Sequence, residues 1–260
     1  MSTQPVRVEH SPFRLASPSP ESPPEQHLIV VSSRLPITIT RDAQGEYHFK
    51  MSSGGLVSTL SGTKKSMSST WIGSTGLYIP PKDRHIVDKR LMEEYSCQAV
   101  YLDDDVTDRH YDGFSNSTLW PLFHCHPDEM NFDEEKWLAY RIVNMHLAEV
   151  VRQQVRENSM VWVQDHHLML LPMLLRGLVT GPELTSQFTA DELANITNGT
   201  GVESEEYPMG GRETVRGVKI GFFLHTPFPS NDIYGCVVFV CLCLTIIGAR
   251  GAPLHPNAPF

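Results

Sequence analysis

The stretch SMVWVQDHHLMLLPMLLRG, residues 159–177, decides the fold. It opens with a short apolar, β-branched run from Met160 to Val163, which is typical of a buried strand. Asp165 follows the end of this strand, and the apolar residues from Leu168 to Arg176 predict a helix despite Pro172. A strand that runs into a polar residue and then into a helix favours a parallel α/β sheet.

Segments on both sides repeat this alternation of strand and helix. HLIVVSSRLP predicts a short buried strand over Ile29 to Val31, ended by Pro36, and STWIGSTG supplies another with glycine-rich flanks. VKIGFFLHTPFPS predicts a further buried strand over Val218 to Leu224. Residues 133–158 predict an amphipathic helix, because apolar residues recur at helical spacing on one face: Tyr140, Val143, Leu147, Val150 and Val151. Strand, helix and strand in succession imply parallel pairing through right-handed crossovers.

Composition limits the classes of function. The chain has 260 residues, 40% of them apolar, and a net charge of −9, so it predicts a globular protein without the basic surface of a nucleic-acid binder. Its five cysteines follow no zinc or redox spacing, which favours a reduced compartment. Residues 1–26 are rich in proline and serine and lack the apolar core of a signal peptide. We therefore expect a disordered leader and a cytoplasmic protein.

Two further segments interrupt the α/β pattern. Residues 177–217 are polar and predict a surface insertion between elements of the domain that spans residues 27–234. Residues 235–260 form an apolar tail, in which the run from Val237 to Ile247 is shorter than the about 20 residues that span a bilayer. The tail resembles translated non-coding sequence. A buried strand or a short membrane-associating tail are the alternatives, and no membrane partner is expected.

Polar residues follow three of the predicted strands and form a candidate site. Arg34, Asp165 and His225 each come after an apolar strand, and ligands of open α/β sheets bind beyond the carboxyl ends of the strands. Arginine offers a fork of donors for phosphate, aspartate accepts sugar hydroxyl groups, and histidine can donate to a hydroxyl. This set suits a phosphorylated polyol. Taken singly, each residue has a structural explanation: Arg34 is more often a surface ion-pair partner, Asp165 could be a helix N-cap, and His225 could be a buried histidine satisfied by backbone.

Two motifs offer further contacts to such a ligand. Gly54 and Gly55 precede a stretch of moderate helical character, so they could expose backbone N–H groups to a phosphate, although an ordinary turn explains them as well. HYDGFSNSTLWPLFHCH, residues 110–126, could supply Tyr111 and Trp120 as aromatic walls for a sugar ring. We expect the other two aromatic residues of that segment, Phe114 and Phe123, to lie in the core.

We predict no metal site and no cofactor. His124-Cys125-His126 and His166-His167 lack the usual spacings of zinc ligands, and adjacent histidines on a regular element point in different directions. The acidic run at 103–105 lacks the glycine and the spaced acids of a calcium loop, so we expect a solvated loop there.

Six motifs, taken in order, resemble the amino-terminal half of trehalose-6-phosphate synthases: VVSSRLP, SSGGLVSTL, WIGSTG, HYDGFSNSTLWPLFH, VWVQDHHLMLLP and KIGFFLHTPFPS. The resemblance covers residues 27–234 apart from the insertion. It implies a Rossmann-like α/β domain of a GT-B glycosyltransferase whose site lies in the cleft between two domains. It also implies transfer of glucose from UDP-glucose to glucose 6-phosphate, with retention of configuration and without a metal.

The resemblance also implies roles for individual residues. Four residues match motif positions on the glucose 6-phosphate side, namely Arg34, Tyr111, Trp120 and Asp165. Three match positions on the donor side, namely Gly54, Gly55 and His225. Of these, Asp165 and His225 are the candidate catalytic residues.

The sequence departs from the family pattern after residue 234. In the family, the cations that grip the donor phosphates belong to a carboxyl-terminal domain, so we expect a truncated transferase with little activity of its own. The alternatives are a non-catalytic module that binds sugar phosphate or associates with full-length synthase subunits, and a metal-dependent hydrolase that uses the histidine pairs.

Overall fold

The computed structural model describes residues 27–52, 68–180 and 214–226. Several predictions lie outside these described residues, among them the leader 1–26, the glycine pair Gly54 and Gly55, residues 181–213 of the insertion, and the tail. None of the helices within the described ranges has the length and apolar character that crossing a bilayer requires.

A five-stranded parallel sheet organises the described residues. Its strands are β1 (His27–Arg34), β4 (Ser68–Ser74), β5 (Cys97–Val100), β6 (Met160–Gln164) and β7 (Lys219–Phe223), in the order β5-β4-β1-β6-β7. Every pair in this sheet is parallel, as the sequence predicted. β1 lies at the centre because its apolar residues from Leu28 to Val31 are buried on both faces.

The ends of the strands differ slightly from the predicted ones. β1 continues past Val31 to Arg34, so Arg34 is the last residue of the strand rather than the residue after it. The register with β4 shifts between Val31 and Arg34, and this irregularity turns the chain at the site-facing end of the sheet. The predicted strand over Val218 to Leu224 is observed as β7.

One layer of helices packs against the sheet and forms the larger core. The amphipathic helix is observed as α4 (Glu134–Gln154), and the Asp133 side chain caps it by accepting bonds from the N–H groups of Glu135 and Lys136. The helix expected from Leu168 begins instead at Leu171 as α5 (Leu171–Thr180), because residues 166–168 form a 3₁₀ turn. Pro172 lies in the first turn, where its missing N–H costs nothing. α5 also includes residues 177–180, which the sequence had assigned to the insertion.

A smaller core forms beside β5, a strand at the edge of the sheet. It contains the antiparallel hairpin β2 (Ile37–Arg41) and β3 (Tyr47–Met51), together with α1 (Pro81–Tyr95), and the sequence motifs predicted none of these elements. The prediction of a solvated loop at 103–105 is wrong. The Asp103 side chain accepts a bond from the Asp105 N–H and begins the short helix α2 (Asp104–Asp108).

A π-helix of 11 residues, Arg109–Leu119, continues from α2 and leads into α3 (Trp120–Phe123). It packs against α4, and its buried residues include Phe114, which is fully buried. Phe123 is buried as well, so both phenylalanines are core residues, as predicted. The π-helix is the element that carries Tyr111 towards the sheet.

Candidate active site

The carboxyl ends of β1, β6 and β7 surround one open cavity of about 200 Å³. Arg34, Asp165 and His225 all line it, so the structure brings together the three strand-end residues that the sequence singled out. The remaining lining residues come from the same strand ends, the 3₁₀ turn and the π-helix: Ser32, Ser33, Tyr111, Gln164 and His167. The shared position at the edge of a parallel sheet is where α/β proteins bind ligands.

Arg34 is held by aromatic stacking rather than by an acid. Its guanidinium carbon lies 4.6 Å from the centre of the Tyr111 ring, and that ring stacks on His167 with centroids 4.6 Å apart and 16° between the planes. Among the described residues no carboxylate forms an ion pair with Arg34, and its side chain is exposed. The reading of Arg34 as a surface ion-pair partner therefore finds no support. Its donors remain available to an anion.

Glycines of β4 and the following turn shape the surroundings of Arg34. A Cβ added at Gly73 would lie 2.7 Å from the carbonyl oxygen of Ser32 and 2.9 Å from the carbonyl carbon of Arg34. The strand end that carries Arg34 thus approaches β4 more closely than any side chain permits. On its other side, Arg34 lines a second cavity of about 300 Å³, together with Gly76, Arg84 and Tyr101.

Asp165 has a strained backbone. Its φ of 69° and ψ of 169° belong to a region that residues other than glycine rarely occupy, at a cost of about 1–3 kcal/mol. Its Oδ1 accepts a bond from the His166 N–H at 2.9 Å and lies 3.1 Å from His166 Nδ1. Asp165 is thus an N-cap, as the alternative interpretation predicted, but it caps the 3₁₀ turn. Both contacts use Oδ1, so Oδ2 has no partner among the described residues.

Asp165 is an anion in the folded protein. Burial raises the pKa of its carboxyl, but the hydrogen bonds from His166 and the nearby imidazole charge act in the opposite direction and outweigh it. The net result is a pKa below the usual range of an aspartate. A carboxylate that is ionised at neutral pH accepts hydrogen bonds from hydroxyl groups.

His167 is a neutral partner in the same site. Burial lowers its pKa to about 3, and positive charge at His166 and His110 adds to this effect. Its Nε2 is buried and has no hydrogen-bond partner among the described residues, and the same holds for Nε2 of His166 and Nε2 of Gln164. Buried polar atoms without partners are rare in folded proteins, and these three lie beside the cavity.

His225 is exposed, so the alternative reading of a buried histidine satisfied by backbone is wrong. Its Nε2 donates to Oε1 of Gln164 at 3.1 Å, and its ring meets the edge of Phe223 with centroids 4.9 Å apart. The bond to Gln164 fixes the proton on Nε2. His225 therefore stands at the mouth of the cavity with a defined tautomer.

Trp120 does not line the cavity. Its ring packs on His124 at 3.9 Å and lies 5.5 Å from the ring of His166, with an exposed fraction of 45%. The structure therefore separates Trp120 from Tyr111, which lines the cavity directly. The proposed aromatic wall at Trp120 therefore lies outside this cavity.

The Asp165, His166 and His167 side chains place one possible metal ligand each within 4.8 Å of the others. The expectation that adjacent histidines diverge is wrong here, because the 3₁₀ turn brings the rings face to face with centroids 4.0 Å apart. The two ring planes are tilted by 35° to each other. That the protein uses no metal stays a prediction.

The sequence reasoning missed Gln164 and His167. Both flank Asp165 in the motif VQDHH, and their only signal was adjacency to it. Gln164 ends β6 and His167 lies in the 3₁₀ turn, so the same strand end delivers three polar side chains to the cavity.

Comparison with known proteins agrees with this geometry. The model of glycosyltransferase family 20 matches residues 26–185, more than half of the chain. The chain belongs to glycosyltransferase family 20. The α,α-trehalose-phosphate synthase (UDP-forming) of Schizosaccharomyces pombe is 48% identical over 209 residues, which cover 80% of this chain and 34% of that protein. The chain spans about a third of the length of the curated relatives it matches.

Solved structures of family members share the fold. The trehalose 6-phosphate synthase of Burkholderia multivorans is 26% identical with a TM-score of 0.52, over 83% of this chain and 36% of that one. The enzyme of Burkholderia xenovorans in complex with glucose-6-phosphate is 22% identical with a TM-score of 0.50, over 86% of this chain and 38% of that one. The predicted fold, a Rossmann-like α/β domain of a GT-B glycosyltransferase, is confirmed.

Proposed function

We propose that this chain is the acceptor-binding part of a retaining glucosyltransferase, which moves glucose from UDP-glucose to glucose 6-phosphate and forms trehalose 6-phosphate. The observation that carries the proposal is the cavity at the ends of β1, β6 and β7, which is lined by an ionised aspartate, a neutral histidine and an arginine with no ion-pair partner among the described residues. Similarity to the UDP-forming α,α-trehalose-phosphate synthase of Schizosaccharomyces pombe supports both the product and the release of UDP.

The acceptor phosphate binds at Arg34. Its guanidinium is already oriented by Tyr111 and forms no ion pair with a carboxylate among the described residues, so little side-chain freedom is lost on binding. Tyr111 covers the glucose ring from the side of the π-helix, and Trp120 supports it from behind His166. A planar, pre-oriented arginine suits the bidentate recognition of a phosphate.

The sugar hydroxyl groups bind at Asp165. Oδ2 of this carboxylate accepts a bond from one hydroxyl, and the neutral ring of His167 lines the same cavity beside it. Because Asp165 stays ionised and His167 stays neutral at neutral pH, this pairing does not change over the physiological range. The acceptor is thereby held in a single orientation, which lowers the entropic barrier to transfer.

The donor glucose lies against His225. The Nε2–H of His225 already has a partner in Gln164, and a donor hydroxyl that replaces or joins this bond sits at the cavity mouth. Gly54 and Gly55 of the motif SSGG are proposed to approach the donor diphosphate by their backbone N–H groups. Transfer with retention requires the acceptor hydroxyl and the departing diphosphate on the same face of the glucose, with the growing negative charge stabilised by cations.

We also propose a segment order and a location for the protein. The order is a leader at 1–26, the sugar-phosphate-binding domain at 27–234 with its insertion at 177–217, and the apolar tail, and the family match over residues 26–185 supports the start of the domain. A cytoplasmic location is supported by the free thiols of Cys97 and Cys125. Association with longer synthase subunits would supply the donor-phosphate cations that the family keeps in its second domain.

A chimera tests the proposed reaction. The 209 residues of this chain that align with the Schizosaccharomyces pombe synthase replace the corresponding segment of that enzyme. We expect the chimera to form trehalose 6-phosphate from UDP-glucose and glucose 6-phosphate, and Asp165→Asn in the chimera to reduce turnover by about 100-fold. A folded chimera without activity, or one indifferent to Asp165→Asn, would contradict the proposal.

A further inference from the structure

We propose that Tyr140, Asn144 and His110 are positioning residues that hold the strained turn at Asp165 against the acceptor cavity. The effect of these residues on catalysis rests on the proposed function, whereas their positioning of the turn rests only on the hydrogen bonds in the structure. Buried hydrogen-bond donors from two helices converge on the two backbone carbonyls that follow Asp165, those of His166 and His167.

Tyr140 fixes the turn from the centre of α4. Its hydroxyl donates to the carbonyl oxygen of His166 at 2.6 Å and accepts from the N–H of Met169 at 3.0 Å. One fully buried oxygen thus joins both ends of the 3₁₀ turn that follows Asp165.

Asn144 lies one helical turn further along α4 and holds the next carbonyl. Its Nδ2 donates to the carbonyl oxygen of His167 at 3.1 Å, and its Oδ1 accepts from the N–H of Leu171 at 3.1 Å, where α5 begins. The side chain is fully buried. Asn144 therefore sets both the end of the turn and the start of the helix that follows it.

His110 reaches the same carbonyl from the π-helix. Its Nε2 lies 2.9 Å from the carbonyl oxygen of His167, so this nitrogen must carry the proton. Its ring also stacks on Tyr140, with centroids 5.4 Å apart. The carbonyl of His167 accordingly accepts from two buried side chains on two different elements.

The converging bonds explain how the backbone of Asp165 is kept in an unfavourable conformation. A residue other than glycine at a φ of 69° persists only where its surroundings over-determine it, and here five hydrogen bonds from three side chains fix the residues that follow. None of the three side chains lines the cavity. They act on the ligand only through the position of Asp165 and His167.

The test uses Tyr140→Phe in the full chain, which keeps the ring and removes the bridging oxygen. Tyr47→Phe is the matched control, because the Tyr47 hydroxyl also donates a single bond, to Asp83 at 2.9 Å, but lies in the other core. His110→Phe is the second variant, since it keeps the ring beside Tyr140 and loses only the donor. Hydrogen exchange and glucose 6-phosphate affinity are measured for each.

We expect Tyr140→Phe and His110→Phe to raise amide exchange over residues 166–171 by about tenfold, and Tyr47→Phe to leave it unchanged. Glucose 6-phosphate affinity should fall about tenfold in Tyr140→Phe, but less than about twofold when the same change is made in an Asp165→Asn background. A purely structural role predicts equal losses in both backgrounds.

The outcomes separate this inference from the proposed function. Unchanged exchange at 166–171 in both variants, or equal affinity losses with and without Asp165, overturns the positioning role. If the unaltered chain does not bind glucose 6-phosphate but the exchange increases as expected, the proposed function fails while the positioning of the turn stands.

Discussion

Two regions of the molecule use the same residue types in opposite ways. In the hairpin region, formed by β2, β3, α1 and β5, Arg41 lies over the ring of Tyr47 and also pairs with Asp83 at 3.5 Å. In the site region, at the ends of β1, β6 and β7, Arg34 lies over the ring of Tyr111 and has no carboxylate partner among the described residues. Both arginines lie over a tyrosine ring, but among the described residues only Arg41 of the two also pairs with a carboxylate.

The buried polar atoms show the same contrast. Tyr47 and Tyr101 in the hairpin region donate their hydroxyls to Asp83 and Asp88. Of the buried side-chain atoms without a partner among the described residues, one lies on β5, at Gln98, and the others lie at or beside the site-facing strand ends: Gln164, His166, His167 and Thr226. Among the described residues the hairpin region therefore leaves one such atom, at Gln98, whereas four lie at or beside the site-facing strand ends.

The largest expected effect on stability comes from disrupting the close contact between β4 and the end of β1. Gly73→Ala places a methyl group against rigid backbone of Ser32, Arg34 and Leu35, so it should lower the free energy of unfolding by about 3 kcal/mol. Gly221→Ala on β7 is the control, because an added Cβ there meets nothing within 4 Å. Urea denaturation measures both. Similar changes in the free energy of unfolding for the two variants would contradict this close packing of β4 against the end of β1.

Acid should destabilise the protein through a buried histidine in α4. Burial lowers the pKa of His146 in α4 to about 4 in the folded protein, below its unfolded value near 6.5. The unfolded state therefore binds a proton first, so stability is full above pH 6.5 and declines as the pH falls towards 4. Between pH 7.5 and 5.5, this histidine alone should cost about 1 kcal/mol.

His146→Gln removes that titration, so the fall in unfolding free energy between pH 7.5 and 5.5 should shrink by about 1 kcal/mol. Val151→Ala, a buried truncation on the same helix, should lower stability equally at both pH values. An undiminished pH dependence in His146→Gln would show that this group stays accessible to protons.

The smallest expected effect is in the hairpin region. Tyr47→Phe removes one partly exposed hydrogen bond to Asp83, so it should lower the free energy of unfolding by about 0.5 kcal/mol. Glucose 6-phosphate affinity, measured by titration calorimetry, should stay the same. A loss of affinity would show that the hairpin region also affects binding at the site region, which contradicts a purely structural role for the hairpin region.

The sequence predicts the site region better than the hairpin region, for physical reasons. β1, β6 and α4 are marked by apolar runs or helical periodicity, because they are packed on the larger core. α1 buries only Val87 and Leu91, so its periodic signal is weak. The β2–β3 turn depends on Asp42, whose side chain accepts from the N–H groups of Gln44 and Glu46, a local feature that the strand patterns do not contain.

Within the site, strand-end position identified Arg34, Asp165 and His225, and the structure brings all three to one cavity. The contribution of His167 could not be predicted, because it depends on the 3₁₀ turn that directs two adjacent rings to one side. Nor does any sequence rule predict a π-helix of this length, and that element decides that Tyr111 faces the cavity while Trp120 does not.

The most direct test of the central claim is titration calorimetry of the full chain with glucose 6-phosphate, comparing Arg34→Ala with Arg41→Ala. Both variants remove an arginine stacked on a tyrosine, but only Arg34 lacks an acid partner. We predict that Arg34→Ala weakens binding by about 30-fold and that Arg41→Ala changes it by less than about twofold. Equal losses in the two variants, or unaltered binding in Arg34→Ala, would contradict the assignment of the acceptor phosphate to the end of β1.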